Sequence, residues 1–140
     1  MIVFCDSSAL LKLFVDEEHS ESMAVTALAA DSLAVSRLTW AEVMSAIARR
    51  ARDMPRDATA LAKARQVFVD RWPDFVTMEV TQSVVEQAGE YAEAFALRAY
   101  DSVQLATLQT LRAQVDEEVR FACFDARLRK AAAVLGIAGV

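Results

Sequence analysis

Apolar residues fall along this chain in two rhythms, short unbroken runs and stripes spaced three and four apart, and the two take turns. Ile2-Val3-Phe4-Cys5 is a run of strand-formers without polar alternation, the pattern of a strand covered on both faces. Ala9 to Phe14 then reads as a helix, and Ser20 to Ala30 as a second with Met23, Ala27 and Leu28 inward. Leu33 to Ser36 is a second buried run, followed by a helix over Thr39 to Arg52. Met54-Pro55 ends it, because proline lacks a donor and restricts its predecessor. Arg56 to Trp72 follows, with Leu61, Ala64, Phe68 and Trp72 in one stripe, and Pro73 stops it. Phe75 to Val80 predicts a third strand, and Thr81 to Leu97 a helix carrying Val84, Ala88, Tyr91 and Phe95 on one face. After a joint at Arg98-Ala99-Tyr100, the stretch from Asp101 to about Val115 is apolar nearly all round, a helix covered on most sides. Val119 to Phe124 predicts a fourth strand, Asp125 to Leu135 a helix, and Ile137 to Val140 a last short strand. Strands that alternate with helices imply a parallel sheet with helices on both faces, a three-layer α/β/α domain.

Composition narrows the picture. The chain's 140 residues suit a single domain spanning 1–140, and only five are Gly or Pro, which leaves no linker or low-complexity segment. No apolar run approaches the ~20 residues of a membrane span, and the start lacks the basic and small-residue signals of a secretory leader. The expected location is cytoplasmic, with no membrane contact. Cys5 and Cys123 lie inside apolar runs without metal-site spacing and read as buried, reduced thiols. The single His19 sits in a polar stretch, so chemistry that needs a buried histidine base has little to use.

The net charge of −5 argues mildly against a general nucleic-acid binder, yet it is unevenly spread. Residues 1–36 and 73–97 each carry −5, residues 37–72 carry +4 and residues 98–140 carry +1. Arg49, Arg50 and Arg52, with Arg98 further on, are candidate phosphate contacts; solvated helix faces account for them equally well.

Four acids stand out. Asp6 and Asp125 each follow an apolar strand and open a helix, the place where parallel α/β sheets put ligands and where Asp also serves as an N-cap. Asp101 opens a helix as well, and Asp101-Ser-Val-Gln104 has the form of a capping box. Glu42 lies within a helix, in a polar stripe with Ser45, Arg49 and Arg52. Singly, each is more simply structural. Parallel topology, however, brings strand ends to one edge, and crowded carboxylates raise one another's pKa. A hard divalent cation removes that penalty, and neutralising four acids leaves a formal charge of −1, which no longer repels a polyanion strongly.

Four segments carry a resemblance: Asp6-Ser-Ser-Ala-Leu-Leu-Lys-Leu-Phe, Leu38-Thr-Trp-Ala-Glu42-Val, Leu97-Arg-Ala-Tyr-Asp101-Ser-Val-Gln-Leu-Ala-Thr and Phe121-Ala-Cys-Phe-Asp125-Ala-Arg-Leu. In order and spacing they resemble the acidic motifs of PIN domains, most closely the short VapC toxins of bacterial type II toxin–antitoxin pairs. The resemblance implies a five-stranded parallel sheet between helices and an endoribonuclease dependent on Mg²⁺ or Mn²⁺. It implies that Asp6, Glu42 and Asp101 are the core metal-binding acids and Asp125 the fourth, with Ser8 and Thr39 supporting the metal or its waters. It also implies hydrolysis of RNA by a metal-activated water, silencing by a cognate antitoxin protein, and a homodimer; Trp40, Met44 and Ile47 give α-helical apolar surface that such an interface or plain core packing accounts for equally well. Cys123 departs from the pattern, standing where Ser or Thr is common. The alternative is a non-catalytic PIN-like module that acts through a protein partner. A phosphotransfer protein with Asp6 as acceptor fits poorly, because Ser8 fills the place of a second acid.

Overall fold

The computed structural model describes residues 1–140, and its centre is a four-stranded parallel sheet. The strands are β1 (Ile2–Cys5), β2 (Ser32–Ser36), β3 (Val76–Met78) and β4 (Val119–Ala122), in the order β3-β2-β1-β4. The chain thus builds outward from β1 in one direction and then crosses to its other side, which leaves a crevice beyond the end of β1. All four residues of β1 are buried, as an unbroken apolar run requires.

Alternation along β1 separates two cores. Ile2 and Phe4 pack with Leu105, Leu108 and Leu111 of α6 (Ala99–Gln114) and with Leu128 and Ala131 of α7 (Ala126–Val134). Val3 and Cys5 face α1 (Ser7–Leu11), α2 (Ser20–Ala29), α3 (Leu38–Asp53) and α4 (Ala58–Arg71). The remaining helix, α5 (Gln82–Phe95), packs along α6 through Val84, Ala88 and Ala106. Three layers result, as the sequence implied.

Several boundaries differ from the pattern-based expectation. The expected fifth strand over 137–140 shrinks to one parallel bridge, Phe121 with Gly139, and the tail reaches it by turning through Gly136 in a left-handed conformation (φ 72°). The first helix starts at Ser7 and ends at Leu11, after which tight turns carry the chain to Phe14. The expected helix 56–72 is α4 flanked by 3₁₀ turns at Pro55–Asp57 and Trp72–Asp74, one built on each proline. The apolar face of α3 is not spare: Trp40 packs on Phe68 and Trp72, Ile47 is buried, and Met44 lies against the same core. No helix is long and apolar enough to cross a membrane.

Candidate active site

Every element that ends at the carboxyl edge of β1 delivers an acid or its support. Asp6 leaves β1 with its own N–H bonded to the Ala122 carbonyl (3.1 Å), which fixes it against the end of β4. Its side chain caps α1, accepting the Ala9 N–H at 2.8 Å, while the Ser8 hydroxyl donates to both oxygens at 2.9 and 3.1 Å. The cap reading of Asp6 is therefore correct and incomplete. A cap needs no burial, yet Asp6 is only 5% exposed. Burial, and secondarily Asp101, pushes its carboxyl above the usual range, against the hydrogen bonds from Ala9, Cys123 and Ser8.

Asp101 behaves differently from its sequence pattern. Helix α6 begins two residues earlier, at Ala99, with Arg98 in the cap position and no side-chain cap bond. Asp101 thus lies in the first turn, and the capping box is not made. Its carboxyl is pushed up by burial and by the neighbouring Asp125, and held down in part by Arg98. Asp125 caps α7 through the Leu128 N–H at 2.8 Å.

Glu42 arrives from the second turn of α3. Gln104, one turn beyond Asp101 on α6, donates from its side-chain nitrogen to Glu42 Oε1 (2.8 Å), Thr39 Oγ1 (3.0 Å) and Ser7 Oγ (3.1 Å). Its own carbonyl oxygen is buried without a partner. Thr39 supports the site through this amide rather than through any bond to a carboxylate.

The four acids line one cavity of about 330 Å³, together with Ser7, Ser8, Leu11, Ala46, Arg98 and Gln104. Larger hollows lie elsewhere, between the turn after α1 and α4 (about 530 Å³) and beneath α2 (about 420 Å³), but their walls are mostly apolar. Chemistry favours the smaller one. None of its four carboxylates takes part in an ion pair, although acids elsewhere do, such as Glu17 with Lys12 and Arg50.

Three acidic, histidine or cysteine side chains do not close around a single point as they would for a dehydrated ion. Mg²⁺ does not demand that, since it keeps several waters and takes one or two carboxylates. A polar cavity with four unpaired acids and room for several waters fits a hydrated hard cation.

The candidate phosphate contacts separate. Arg98 lines the acidic cavity, and Arg49 lines an adjoining one. Arg50 turns away to pair with Glu17, and Arg52 is exposed on the far end of α3. Sequence reading missed Gln104 and Ser7 as site residues. The signal for Gln104 is its place three residues after Asp101, on the same helix face, a spacing that a capping box shares.

Cys123 sits where a hydroxyl residue was expected, and its thiol reaches the Asp125 carbonyl at 3.7 Å and lies against Asp6. Burial pushes the thiols of Cys5 and Cys123 far above their ordinary range. Neither should react with a thiol reagent at pH 8 until denaturant is added, because the thiolate is the reactive form. Rapid labelling of one thiol in the native protein would show that the floor of the site opens.

Comparison with known proteins identifies the family and the fold. The PIN domain family model matches residues 3–134. The protein called Ribonuclease VapC45 of Mycobacterium tuberculosis (strain CDC 1551 / Oshkosh) is 33% identical over 135 residues, 96% of this chain and 92% of the relative. Among solved structures, VapC20 of Mycobacterium tuberculosis, described as a Sarcin-Ricin loop cleaving toxin, superposes with a TM-score of 0.69 at 15% identity, covering 99% of this chain and 98% of its own. A toxin–antitoxin complex from Klebsiella pneumoniae gives 0.63 at 20% identity, covering 88% of this chain and 86% of that one.

Proposed function

The chain belongs to the PIN domain family, and on that premise we propose that it is a Mg²⁺- or Mn²⁺-dependent endoribonuclease, the toxin of a VapBC-like pair. The observation that carries the proposal is the convergence of Asp6, Glu42, Asp101 and Asp125 on one cavity without an ion-pair partner. A cap reading explains Asp6 and Asp125 but leaves unexplained why Asp101 and Glu42, which cap nothing, face the same space.

The metal, when bound, supplies a water of lowered pKa and stabilises charge on the attacked phosphate. Asp6, Asp101 and Glu42 would hold it, with Asp125 at the rim. The protein's own contribution is positional. Ser8 and the Ala9 N–H fix both oxygens of Asp6, and Gln104 fixes one oxygen of Glu42, leaving the other free. Arg98 stands beside the acids as the only cation lining the cavity, placed to meet a phosphate and to offset repulsion. Since the relatives' names are those of ribonucleases and one solved neighbour is a toxin–antitoxin complex, RNA and a cognate antitoxin are the proposed partners.

The test is cleavage of pooled cellular RNA by the purified chain with Mn²⁺ or Mg²⁺, and again with a chelator. Metal-dependent cuts ending in a 5′-phosphate are expected, with none in chelator. Cleavage that persists in chelator, or a folded chain that binds no divalent ion, would favour the partner-binding module instead.

A further inference from the structure

A second cavity of about 330 Å³ opens beside the acidic one, and the two share Glu42 as a common wall. Its lining is Leu38, Ala41, Glu42, Ser45, Arg49 and Tyr100. Two features set it apart from an ordinary surface dip. Tyr100 is 63% exposed, the only aromatic among the large apolar side chains left in solvent, and no other ring or hydrogen bond engages it. The chain's other aromatic groups are mostly absorbed: Trp40, Phe68, Trp72 and Phe75 form one cluster of tilted and edge-to-face rings, and Phe124 is covered by His19 and Lys12. Arg49, which lines the same cavity, is exposed and free of any acid, unlike Arg50 next to it, which Glu17 holds.

An exposed aromatic ring and an uncommitted guanidinium lining one cavity, which shares Glu42 with the acidic site, match the two halves of a nucleotide. Bases stack on aromatic rings whatever their identity, and Arg holds phosphate. Tyr100 precedes Asp101 in the first turn of α6, and the cavities that the two residues line meet at Glu42, so a base resting on the ring lies beside the acidic site. We infer that this cavity seats one unpaired nucleotide adjacent to the scissile phosphate, its base on the Tyr100 ring, its phosphate at Arg49. The inference rests on the ribonuclease reading above and adds the two side chains, Tyr100 and Arg49, that seat the nucleotide beside the cut. A paired base cannot reach Tyr100 without unstacking, so the same sequence held in a duplex is a poor substrate.

Steady-state cleavage with Mn²⁺ tests it, on a single-stranded oligoribonucleotide containing a mapped cut site and on that oligomer annealed to its complement. Tyr100→Ala should lower kcat/KM by about 10- to 100-fold, chiefly through KM, the range expected for losing one base–aromatic stack. Tyr100→Phe should stay within about 3-fold, since the ring and not the hydroxyl is used. Arg49→Ala should reduce the salt dependence of KM by about one unit of slope, the mark of one lost phosphate contact. The duplex should be cut at least tenfold more slowly. Tyr100→Ala cutting like the wild type, or equal rates on duplex and single strand, would overturn the inference while leaving the nuclease intact. A wild-type chain that cuts no RNA in Mn²⁺ would overturn the nuclease reading and this inference together.

Discussion

Asp6→Asn is expected to lower metal-dependent cleavage by about 10³-fold or more, the upper range for removing one preorganised charged group, about 4 kcal/mol of transition-state stabilisation. The same change should not unfold the protein. Asn is as good an N-cap as Asp, so the bond to the Ala9 N–H survives, and the Ser8 hydroxyl keeps an acceptor. What disappears is a buried negative charge that faces Asp101. The metal-free variant should therefore melt higher than the metal-free wild type at neutral pH, while losing the stabilisation that Mn²⁺ gives the wild type. An active Asp6→Asn chain would remove Asp6 from the site, and a variant that fails to fold would show the acid to be structural.

The pH dependence follows in sign from the same burial. Asp6 and Asp101 hold their protons to higher pH in the folded chain than in the unfolded one. Below the ordinary carboxylate range both states are protonated and the contribution of these groups to stability is full. As pH rises the unfolded chain ionises first, so stability falls until the folded groups have ionised too. Without metal, the gap in melting temperature between Asp6→Asn and wild type should be small near pH 4 and open as pH rises toward 7. Glu17, Asp31 and Glu79 shift the opposite way in both proteins and drop out of the difference. A gap that stays constant with pH would mean that the Asp6 carboxyl is not strained by its surroundings.

Much of this site was legible because its pieces are local. An unbroken apolar run ending in Asp predicts a buried strand and an acid at the sheet's carboxyl edge, and Asp6 obeys that rule; Asp125 follows β4 less directly, since Arg120 interrupts that strand and it ends at Ala122. Failures came where the deciding partner is distant in sequence. Asp101 and Gln104 spell a cap, but α6 starts at Ala99, and Gln104 finds Glu42 and Ser7 62 and 97 residues away. Arg49 and Arg50 look alike on paper, and only Glu17, 33 residues before Arg50, separates them. The apolar side of α3 suits an interface or a core equally well in sequence, because no pattern within that helix reveals that α4 covers it. The fifth strand failed for a local reason, since Gly136 just before it and Gly139 within it favour a turn over a ladder.

Gln104→Met should separate function from folding more sharply than any change to an acid. The Gln104 amide is 1% exposed and has two N–H hydrogens facing three acceptors, while its carbonyl oxygen has none. Turning the amide over would aim that oxygen at the Glu42 carboxylate, so the orientation is set by Glu42, and the orphaned oxygen is its consequence, at about 1–3 kcal/mol. Methionine of similar volume removes the orphan but leaves the buried Thr39 hydroxyl without its donor; the two effects roughly offset, so the melting temperature should move little. Glu42, by contrast, loses the bond that holds it in the cavity. Ligand-supporting groups of this kind are worth about 10- to 100-fold in metal affinity or activity, and the expected loss is in that range, with a matching rise in the Mn²⁺ concentration needed for half-maximal binding. Because Gln104 acts through Glu42, adding Gln104→Met to Glu42→Gln should lower activity no further than Glu42→Gln alone, whereas two independent structural defects would multiply. Unchanged Mn²⁺ binding in a folded Gln104→Met chain, or multiplying losses in the double variant, would show that Glu42 is held by something other than this amide.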